Sequence, residues 1–107
     1  MGLTEADAKA LVNEGVLSAD YDEHEEAIEF YDKALKIIET AETYLNKGIS
    51  LVELEKYDDA LSSYEKAIQV SPGYADAWYN KAELLKHKGQ NDEAETCFAK
   101  VKELEGE

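Results

Sequence analysis

The stretch that decides the fold is residues 41–74, AETYLNKGISLVELEKYDDALSSYEKAIQVSPGY. Apolar and small residues recur in it at intervals of three and four, first over 41–54 and again over 57–70, which is the period of an amphipathic helix. A polar break at 55–56 separates the two segments, and the Ser-Pro-Gly sequence at 71–73 ends the second, because proline cannot continue a helix. The stretch therefore predicts two helices joined by a tight turn.

The same pattern occurs once before this stretch and once after it. Five sets of residues recur at a spacing of 33 and then 34 positions, and each set keeps side chains of a similar size class. The sets are Leu11, Tyr44 and Trp78; Gly15, Gly48 and Ala82; Ala27, Ala60 and Ala94; Tyr31, Tyr64 and Phe98; and Ala34, Ala67 and Val101. Because a chance alignment of this kind is very improbable, a helical hairpin is repeated three times.

The repeat predicts an all-α fold of six helices. A single hairpin cannot cover both of its faces, so we expect the three hairpins to stack. Gly or Ala on the first helix of each hairpin faces the aromatic ring of the second, which lets the two backbones approach closely. Thr4 with Asp7, and Asp22 with Glu25, resemble capping pairs at two helix starts. The predicted helices span residues 5–19, 23–38, 41–54, 57–70, 75–88 and 91–105.

The charge of the chain restricts its partners. A chain of 107 residues suits one domain with a modest core. Its formal charge of −14 comes from 25 acidic residues against 11 lysines, with no arginine. Because phosphate binding needs a basic face that displaces counterions, we expect neither nucleic acid nor an anionic membrane as a partner.

The single cysteine and the absence of long apolar runs bear on location. With Cys97 alone no intramolecular disulfide can form, and a reduced, cytoplasmic setting fits best. The first residues show neither the basic nor the apolar region of a secretory leader. No apolar run approaches the ~20 residues that cross a bilayer. We therefore expect a soluble protein.

The repeated residues resemble the tetratricopeptide repeat pattern. The resemblance covers residues 8–105 in three copies, with the first copy the weakest and one residue shorter. It implies one domain over 1–107, with repeats at 8–40, 41–74 and 75–107, folded as a short right-handed α-solenoid of three stacked helix-turn-helix hairpins. The matching elements are Tyr44-x2-Lys47-Gly48-x2-Leu51, Ala60-x3-Tyr64, Pro72, Trp78-x2-Lys81-Ala82-x2-Leu85 and Ala94-x3-Phe98.

Two positions of the second helix predict whether another repeat follows. Copy two has Leu61 and Ile68 there, whereas copy three has Glu95 and Lys102. Because terminal repeats need a polar outer face to stay soluble, this substitution predicts a free-standing module of three repeats. The exposed end helix is also a surface through which the module could self-associate.

Three asparagines are the most informative polar residues. Asn13, Asn46 and Asn80 occupy the same register, although asparagine is less favourable than alanine within a helix by ~0.5 kcal/mol. This register resembles the one that lines the concave groove of tetratricopeptide proteins. The resemblance implies that the amides hydrogen-bond the backbone of an extended peptide, since an amide both donates and accepts.

Residues next to the asparagines, or one helical turn away, are predicted to share the groove. Its predicted apolar residues are Val12, Val16, Leu45, Ile49 and Tyr79. Its predicted polar and charged residues are Lys9, Asp20, Glu42, Glu53, Asp76, Glu83 and His87. Such a surface suits an extended segment with hydrophobic and basic residues.

Chaperone-binding tetratricopeptide domains grip a partner's terminal carboxylate with a clamp of Lys, Arg and Asn. Of the matching positions, Asn46 alone agrees with that clamp. The other four positions carry Val12, Val16, Asp76 and Asn80, where the pattern has Lys, Asn, Lys and Arg. We therefore do not expect acidic chaperone tails to bind.

No pattern in the sequence indicates catalysis, a metal or a cofactor. A carboxylate-histidine metal site in a helical bundle needs Glu three residues before His, but Tyr21 and Leu84 precede His24 and His87. The Asp20-x-Asp22-x-His24 segment lacks the glycine and distal glutamate of a calcium loop and is read as a solvated turn. Cys97 and most of the tyrosines are read as packing residues.

Two functions are consistent with these features. The first is a non-catalytic scaffold that binds an extended, hydrophobic and basic peptide segment of another protein in the groove. The alternative is a structural module that forms a weak homo-oligomer by stacking through its terminal helices. Fold alone does not choose between them.

Overall fold

The computed structural model describes residues 2–106, which contain six helices and no strand. The helices are α1 (Glu5–Asp20), α2 (His24–Ile37), α3 (Ala41–Glu53), α4 (Tyr57–Val70), α5 (Ala75–His87) and α6 (Asn91–Leu104). Each predicted helix is present, and its ends differ from the prediction by no more than one residue. The all-α prediction is confirmed.

The helices pair as three consecutive hairpins. α1 packs along α2, α3 along α4, and α5 along α6, and adjacent hairpins are joined by contacts of α2 with α3 and of α4 with α5. The stack extends 47 × 28 × 19 Å. Among the described residues, none of the helices is both long and apolar enough to cross a lipid bilayer.

Glycine against tyrosine sets the spacing within the first two hairpins. A Cβ atom added to Gly15 would lie 2.5 Å from Cε1 of Tyr31, and one added to Gly48 would overlap the ring of Tyr64 in the same way. Both rings are about 2% exposed. The predicted packing of a small residue against a large one is therefore present, and it brings the paired backbones close.

The core is continuous across the hairpins. Tyr64 of α4 packs in one cluster with Leu45 and Leu51 of α3 and with Leu84 of α5, and Ile28 of α2 closes its other side. Because these side chains come from all three hairpins, no hairpin buries its apolar surface alone. Each repeat therefore depends on its neighbours.

The turns within the three hairpins share one geometry. Asp22, Glu55 and Gly89 occupy equivalent positions and all have a positive φ, at 61°, 59° and 82°. In each turn the next residue donates its N–H to the carbonyl five residues before it, as Glu23 does to Ser18. This is the Schellman ending of a helix, in which glycine is the unstrained residue.

One of the two predicted capping pairs is correct. Thr4 and Asp7 form a reciprocal capping box at the start of α1. The pairing of Asp22 with Glu25 is wrong: Glu23 is the residue that caps α2, without a side-chain bond. The physical reason is that Asp22 adopts the left-handed conformation that ends α1, so it belongs to the turn before the cap.

Candidate functional site

The first helices of the hairpins form one face of the stack. The backbone of α1 approaches that of α3, and α3 approaches α5, whereas within residues 2–106 no Cα atoms of α2 and α4, or of α4 and α6, lie within 8 Å of each other. Because the first helices lie close together and the second helices diverge, the stack is curved. The first helices lie on its inner side. We call the surface of α1, α3 and α5 the groove face.

A first depression on this face, the α1/α3 pocket, has a volume of about 380 Å³. Six of the residues that line it are Val16, Asp20, Tyr31, Asn46, Ile49 and Glu53. Val16 and Ile49 are unusually exposed for apolar side chains, at 38% and 39%. With Asp22, which also lines it, the pocket combines aliphatic walls, three carboxylates and an amide.

Tyr31 forms the floor of the α1/α3 pocket. Burial, and then the charge of Asp20, raise the pKa of its hydroxyl. The ring packs against Gly15 and is fixed there, yet its hydroxyl makes no hydrogen bond within the described residues. The site therefore contains a neutral phenol next to a carboxylate.

His24 lies at the outer end of the same pocket and joins the first two hairpins. Its Nδ1 is 3.1 Å from Oγ of Ser50, which is 1% exposed, and its Nε2 is 3.7 Å from Asp22. Its side chain is only 12% exposed, so the interpretation of this segment as a solvated turn holds for Asp22 but is wrong for His24. The reason is that α3 of the next hairpin covers the imidazole.

A second depression, the α3/α5 pocket, has a volume of about 230 Å³. Six of its lining residues are Val52, Tyr57, Tyr64, Asn80, Glu83 and His87. Burial, with a smaller effect of the Glu53 carboxylate, raises the pKa of Tyr64 to about 12. The rings of Tyr57 and His87 lie 4.9 Å apart. This pocket repeats the tyrosine floor but has a more aromatic wall.

A third depression at the edge of the groove face, the apolar pocket, has a volume of about 330 Å³. Its floor consists of Ala8, Val12, Ala34, Ile38, Thr40 and Thr43, with Lys9, Asn13 and Glu42 at its edge. In the next repeat, Tyr74 stands at the position of Thr40 and packs onto Ala41, Ala67 and Ala77. The pocket is open because Thr40 has no ring to fill it.

The three predicted asparagines each line a different depression. Asn13 lines the apolar pocket, Asn46 the α1/α3 pocket and Asn80 the α3/α5 pocket. Asn80 donates through Nδ2 to the carbonyl of Asp76 at 2.8 Å, so part of its capacity is used within its own helix. Asn13 and Asn46 make no such bond within the described residues. Asn46 lies at the centre of the groove face.

The structure brings together most of the other predicted site residues, but not all. Leu45 is 5% exposed in the core cluster, so its prediction as accessible groove floor is wrong: α5 covers it, and it supports the groove face from beneath. Asp76 and Tyr79 lie in a depression at the end of the stack with Glu95, Phe98 and Lys102. No following helix covers that end in the described chain.

Tyrosine hydroxyls and His24 are the groove features that sequence reasoning missed. Packing describes the rings of Tyr31 and Tyr64 correctly, but each residue also lines a pocket of the groove face. Their identical register in two repeats was a usable signal, because Phe98 at the third position shows that packing alone does not need the oxygen. Within residues 2–106 no three or more His, Cys, Asp or Glu are placed to hold a metal ion.

Stacked helical hairpins with one face made of first helices define an α-solenoid. Two models of the tetratricopeptide repeat match the chain, over residues 6–72 and 51–106. Because these matches each cover more than half of the chain, the protein belongs to the tetratricopeptide repeat family. A sequence search of curated proteins finds no significant match.

Solved structures with the same fold include the second tetratricopeptide domain of Spaghetti (RPAP3) bound to the HSP90 peptide SRMEEVD, at 22% identity and a TM-score of 0.88 over 94% of both chains. The Sgt2 domain from Aspergillus fumigatus is 24% identical with a TM-score of 0.88, covering 94% of this chain and 67% of its own. MamA is 23% identical with a TM-score of 0.86 over 92% of this chain, which spans only 58% of the MamA chain. At these identities the likeness shows the fold.

Proposed function

We propose that this protein is a non-catalytic scaffold that binds an extended peptide segment of another protein along its groove face. The observation that carries the proposal is the alignment of three pockets along first helices that lie side by side, each pocket containing one asparagine amide. An amide can pair with the N–H and C=O groups of a peptide backbone whatever the peptide's sequence. The pockets then select side chains.

The composition of the pockets supports a hydrophobic and basic peptide. The apolar pocket, with Val12 and Ile38 in its floor, suits an aliphatic side chain. The groove face beyond it is acidic, through Asp20, Glu53 and Glu83. Charge complementarity between the two surfaces speeds association and excludes acidic partners.

The ligand in the Spaghetti structures has the acidic sequence SRMEEVD. The groove face here favours a basic ligand, because Asp20 and Glu53 line the α1/α3 pocket and the chain carries a formal charge of −14. We therefore propose a peptide ligand, as in those structures, but one of the opposite charge.

The geometry of a histidine-serine pair between α2 and α3 supports a non-catalytic role. His24 Nδ1 lies within hydrogen-bond distance of Ser50 Oγ, an arrangement that could in principle activate a nucleophile. Ser50 is 1% exposed, however, so no substrate carbonyl can reach its oxygen. The pair instead joins α2 to α3. The buried position of Cys97 accords with the proposal that the protein acts in the reducing cytoplasm.

A direct test uses fluorescence anisotropy with labelled ten-residue peptides that vary in charge and apolar content. We expect basic, leucine-containing peptides to bind. Asn46→Ala should lower their affinity about threefold to tenfold, which is the effect of losing one or two hydrogen bonds. Asn91→Ala is the matched control, because Asn91 begins α6 away from the groove face. Equal affinities for wild type and Asn46→Ala, with unchanged circular dichroism, would exclude the groove model.

One observation favours self-association as a second function. Ala10 and Leu17 are exposed on α1, with Leu17 at 51%, whereas the equivalent Thr43 and Ser50 are 3% and 1% exposed beneath the preceding repeat. The start of the stack therefore presents a surface that its own repeats bury elsewhere. A second copy that stacks through its end helices would cover it.

Light scattering over a range of protein concentrations separates the two functions. If copies stack through their ends, the measured mass should rise with protein concentration. It should return to the monomer value in Leu17→Glu. Leu3→Glu, which lies outside the helix, is the control. A constant monomer mass up to high micromolar concentration leaves only the peptide-binding function.

A further inference from the structure

The hydroxyl of Tyr31 is an unused hydrogen-bonding group at the floor of the α1/α3 pocket. Tyr31 is 2% exposed and its hydroxyl bonds to nothing within residues 2–106. No polar side-chain atom of those residues is both sealed from solvent and without a partner, so this hydroxyl must open into the pocket that Tyr31 lines. A buried ring thus holds an oriented, unpartnered oxygen at a fixed place in the groove.

The groups around that oxygen are negative above and apolar at the sides. Asp20, the last residue of α1, and Glu53, the last of α3, are exposed carboxylates at the same end of the pocket. Val16 and Ile49, one turn earlier on each helix, form two aliphatic walls. The imidazole of His24 is already engaged by Ser50 through Nδ1.

This arrangement matches a long side chain with an apolar stem and a cationic end. Lysine and arginine bury their methylene groups along apolar surface while the charged end seeks carboxylates. A phenol oxygen and carboxylate oxygens all accept hydrogen bonds from an ammonium or guanidinium group. The acidic residues are too dispersed for an inorganic cation, since no three or more of the described ligand-type residues could hold a metal ion together.

We propose that the α1/α3 pocket is the subsite for one lysine or arginine side chain of the bound peptide. Its stem would lie between Val16 and Ile49, and its charged end would meet Asp20, Glu53 and the hydroxyl of Tyr31. The proposal rests on the peptide-binding function above and names the residue type that determines its specificity.

The neighbouring α3/α5 pocket provides the internal comparison. It also has a tyrosine floor, Tyr64, but Glu83 stands where Val16 and Ile49 provide walls, and His87 stands where Asp20 and Glu53 provide carboxylates. A lysine stem has no matching pair of aliphatic walls there, because Glu83 replaces one of them, and at its charged end the imidazole of His87 replaces one of the two carboxylates. The basic side chain is therefore assigned to the first pocket and not to the second.

The test uses Nα-acetyl-lysine methylamide as the probe, at millimolar concentration, and amide chemical shifts of the ¹⁵N-labelled full chain as the readout. Nα-acetyl-norleucine methylamide, which has the same stem without the ammonium group, is the matched probe. We expect the lysine probe to shift the amides of Asp20, Tyr31 and Glu53, and to bind several-fold more weakly in high salt. We expect the norleucine probe to shift them little.

Tyr31→Phe removes only the oxygen, and Phe98 at the equivalent position of the third repeat shows that phenylalanine fits this packing. We expect this variant to bind the lysine probe about threefold to tenfold more weakly. Tyr64→Phe, the same change in the neighbouring pocket, should leave the affinity for the lysine probe unaltered. Equal shifts with both probes, or equal losses in both variants, would overturn the subsite.

The failure of the subsite can be told from failure of the function. If leucine-containing peptides bind with or without a lysine, and Asn46→Ala weakens both equally, the groove function stands and the lysine subsite is wrong. If no peptide binds at the groove face, both proposals are wrong.

Discussion

Thr40 and Tyr74 occupy the same position in consecutive repeats, and the difference between them opens the apolar pocket. The ring of Tyr74 packs onto Ala41, Ala67 and Ala77 between the second and third hairpins. Between the first and second, the side chain of Thr40 leaves the equivalent surface uncovered. One ring therefore decides whether a side chain of a ligand can enter at this place.

Replacing Thr40 with tyrosine should close the apolar pocket from within. We expect Thr40→Tyr to lower the affinity for leucine-containing peptides by about tenfold, because burial of a leucine side chain contributes at least ~1.5 kcal/mol to binding. Thr40 also caps α3, since its Oγ1 accepts from the N–H of Thr43 at 3.2 Å. Thr40→Val, which loses the cap without adding a ring, is therefore the control, and calorimetric titration of both variants is the measurement. Equal affinities of the two variants would show that the ligand does not use this pocket.

Adding a methyl group to Gly48 should strain the second hairpin. The new Cβ would overlap the ring of Tyr64, which is wedged in the core and cannot move away. Overpacking of this kind costs about 1–3 kcal/mol, which exceeds the gain of up to about 1 kcal/mol from replacing a helical glycine. Urea unfolding of Gly48→Ala should therefore show a net loss of stability of up to about 2 kcal/mol.

Gly73 is the matched glycine, because a Cβ there meets nothing within 4 Å. Gly73→Ala should leave the free energy of unfolding within about 0.5 kcal/mol of wild type. A Gly48→Ala variant as stable as Gly73→Ala would mean that the close approach of the ring is not needed.

Replacing Glu55 with glycine should stabilise the fold. Glu55 has a φ of 59° in the turn between α3 and α4, where a side chain costs about 1–2 kcal/mol. Glycine removes that strain but loses part of the gain to its greater freedom in the unfolded chain. We expect a net gain of about 0.5–1 kcal/mol in urea unfolding.

The equivalent turn of the third hairpin supplies the reverse experiment. Gly89 has a φ of 82°, and Gly89→Ala should reduce stability by about 1 kcal/mol. Changes of the same sign in the two variants would contradict the explanation by backbone conformation.

Stability should fall at alkaline pH because of Tyr64. Burial and then Glu53 raise the pKa of its hydroxyl from 10.0 to about 12, so the folded chain favours the neutral phenol. The stability that this pKa difference provides is complete below pH 10, the pKa of the tyrosine in the unfolded chain. It is lost as the pH rises to about 12. In urea unfolding at a series of pH values, the free energy of unfolding of Tyr64→Phe should fall less steeply between pH 10 and about 12 than that of the wild type. Tyr21→Phe, which is 70% exposed in the wild type, should follow the wild-type slope.

Several features of this protein could be read from its sequence because they are periodic or local. Helix period and the 33 and 34 residue spacing predicted six helices with ends correct to one residue. The small residues at 15 and 48 predicted the close approach of Tyr31 and Tyr64, since both members of each pair recur together. The capping box of Thr4 with Asp7 was predicted correctly because it lies within one helical turn.

Other features were decided only by how one hairpin lies on the next. Leu45 shares its register with Val12 but is buried by α5, and His24 is covered by α3, through contacts that no single repeat contains. The opening of the apolar pocket at Thr40 and the exposure of the Tyr31 hydroxyl likewise depend on the surface of the neighbouring hairpin. The sequence determined the repeating unit because helix periodicity and small-to-large pairing are local properties. Only the tertiary structure decided which groups reach the groove, because burial between repeats depends on side chains far apart in the chain.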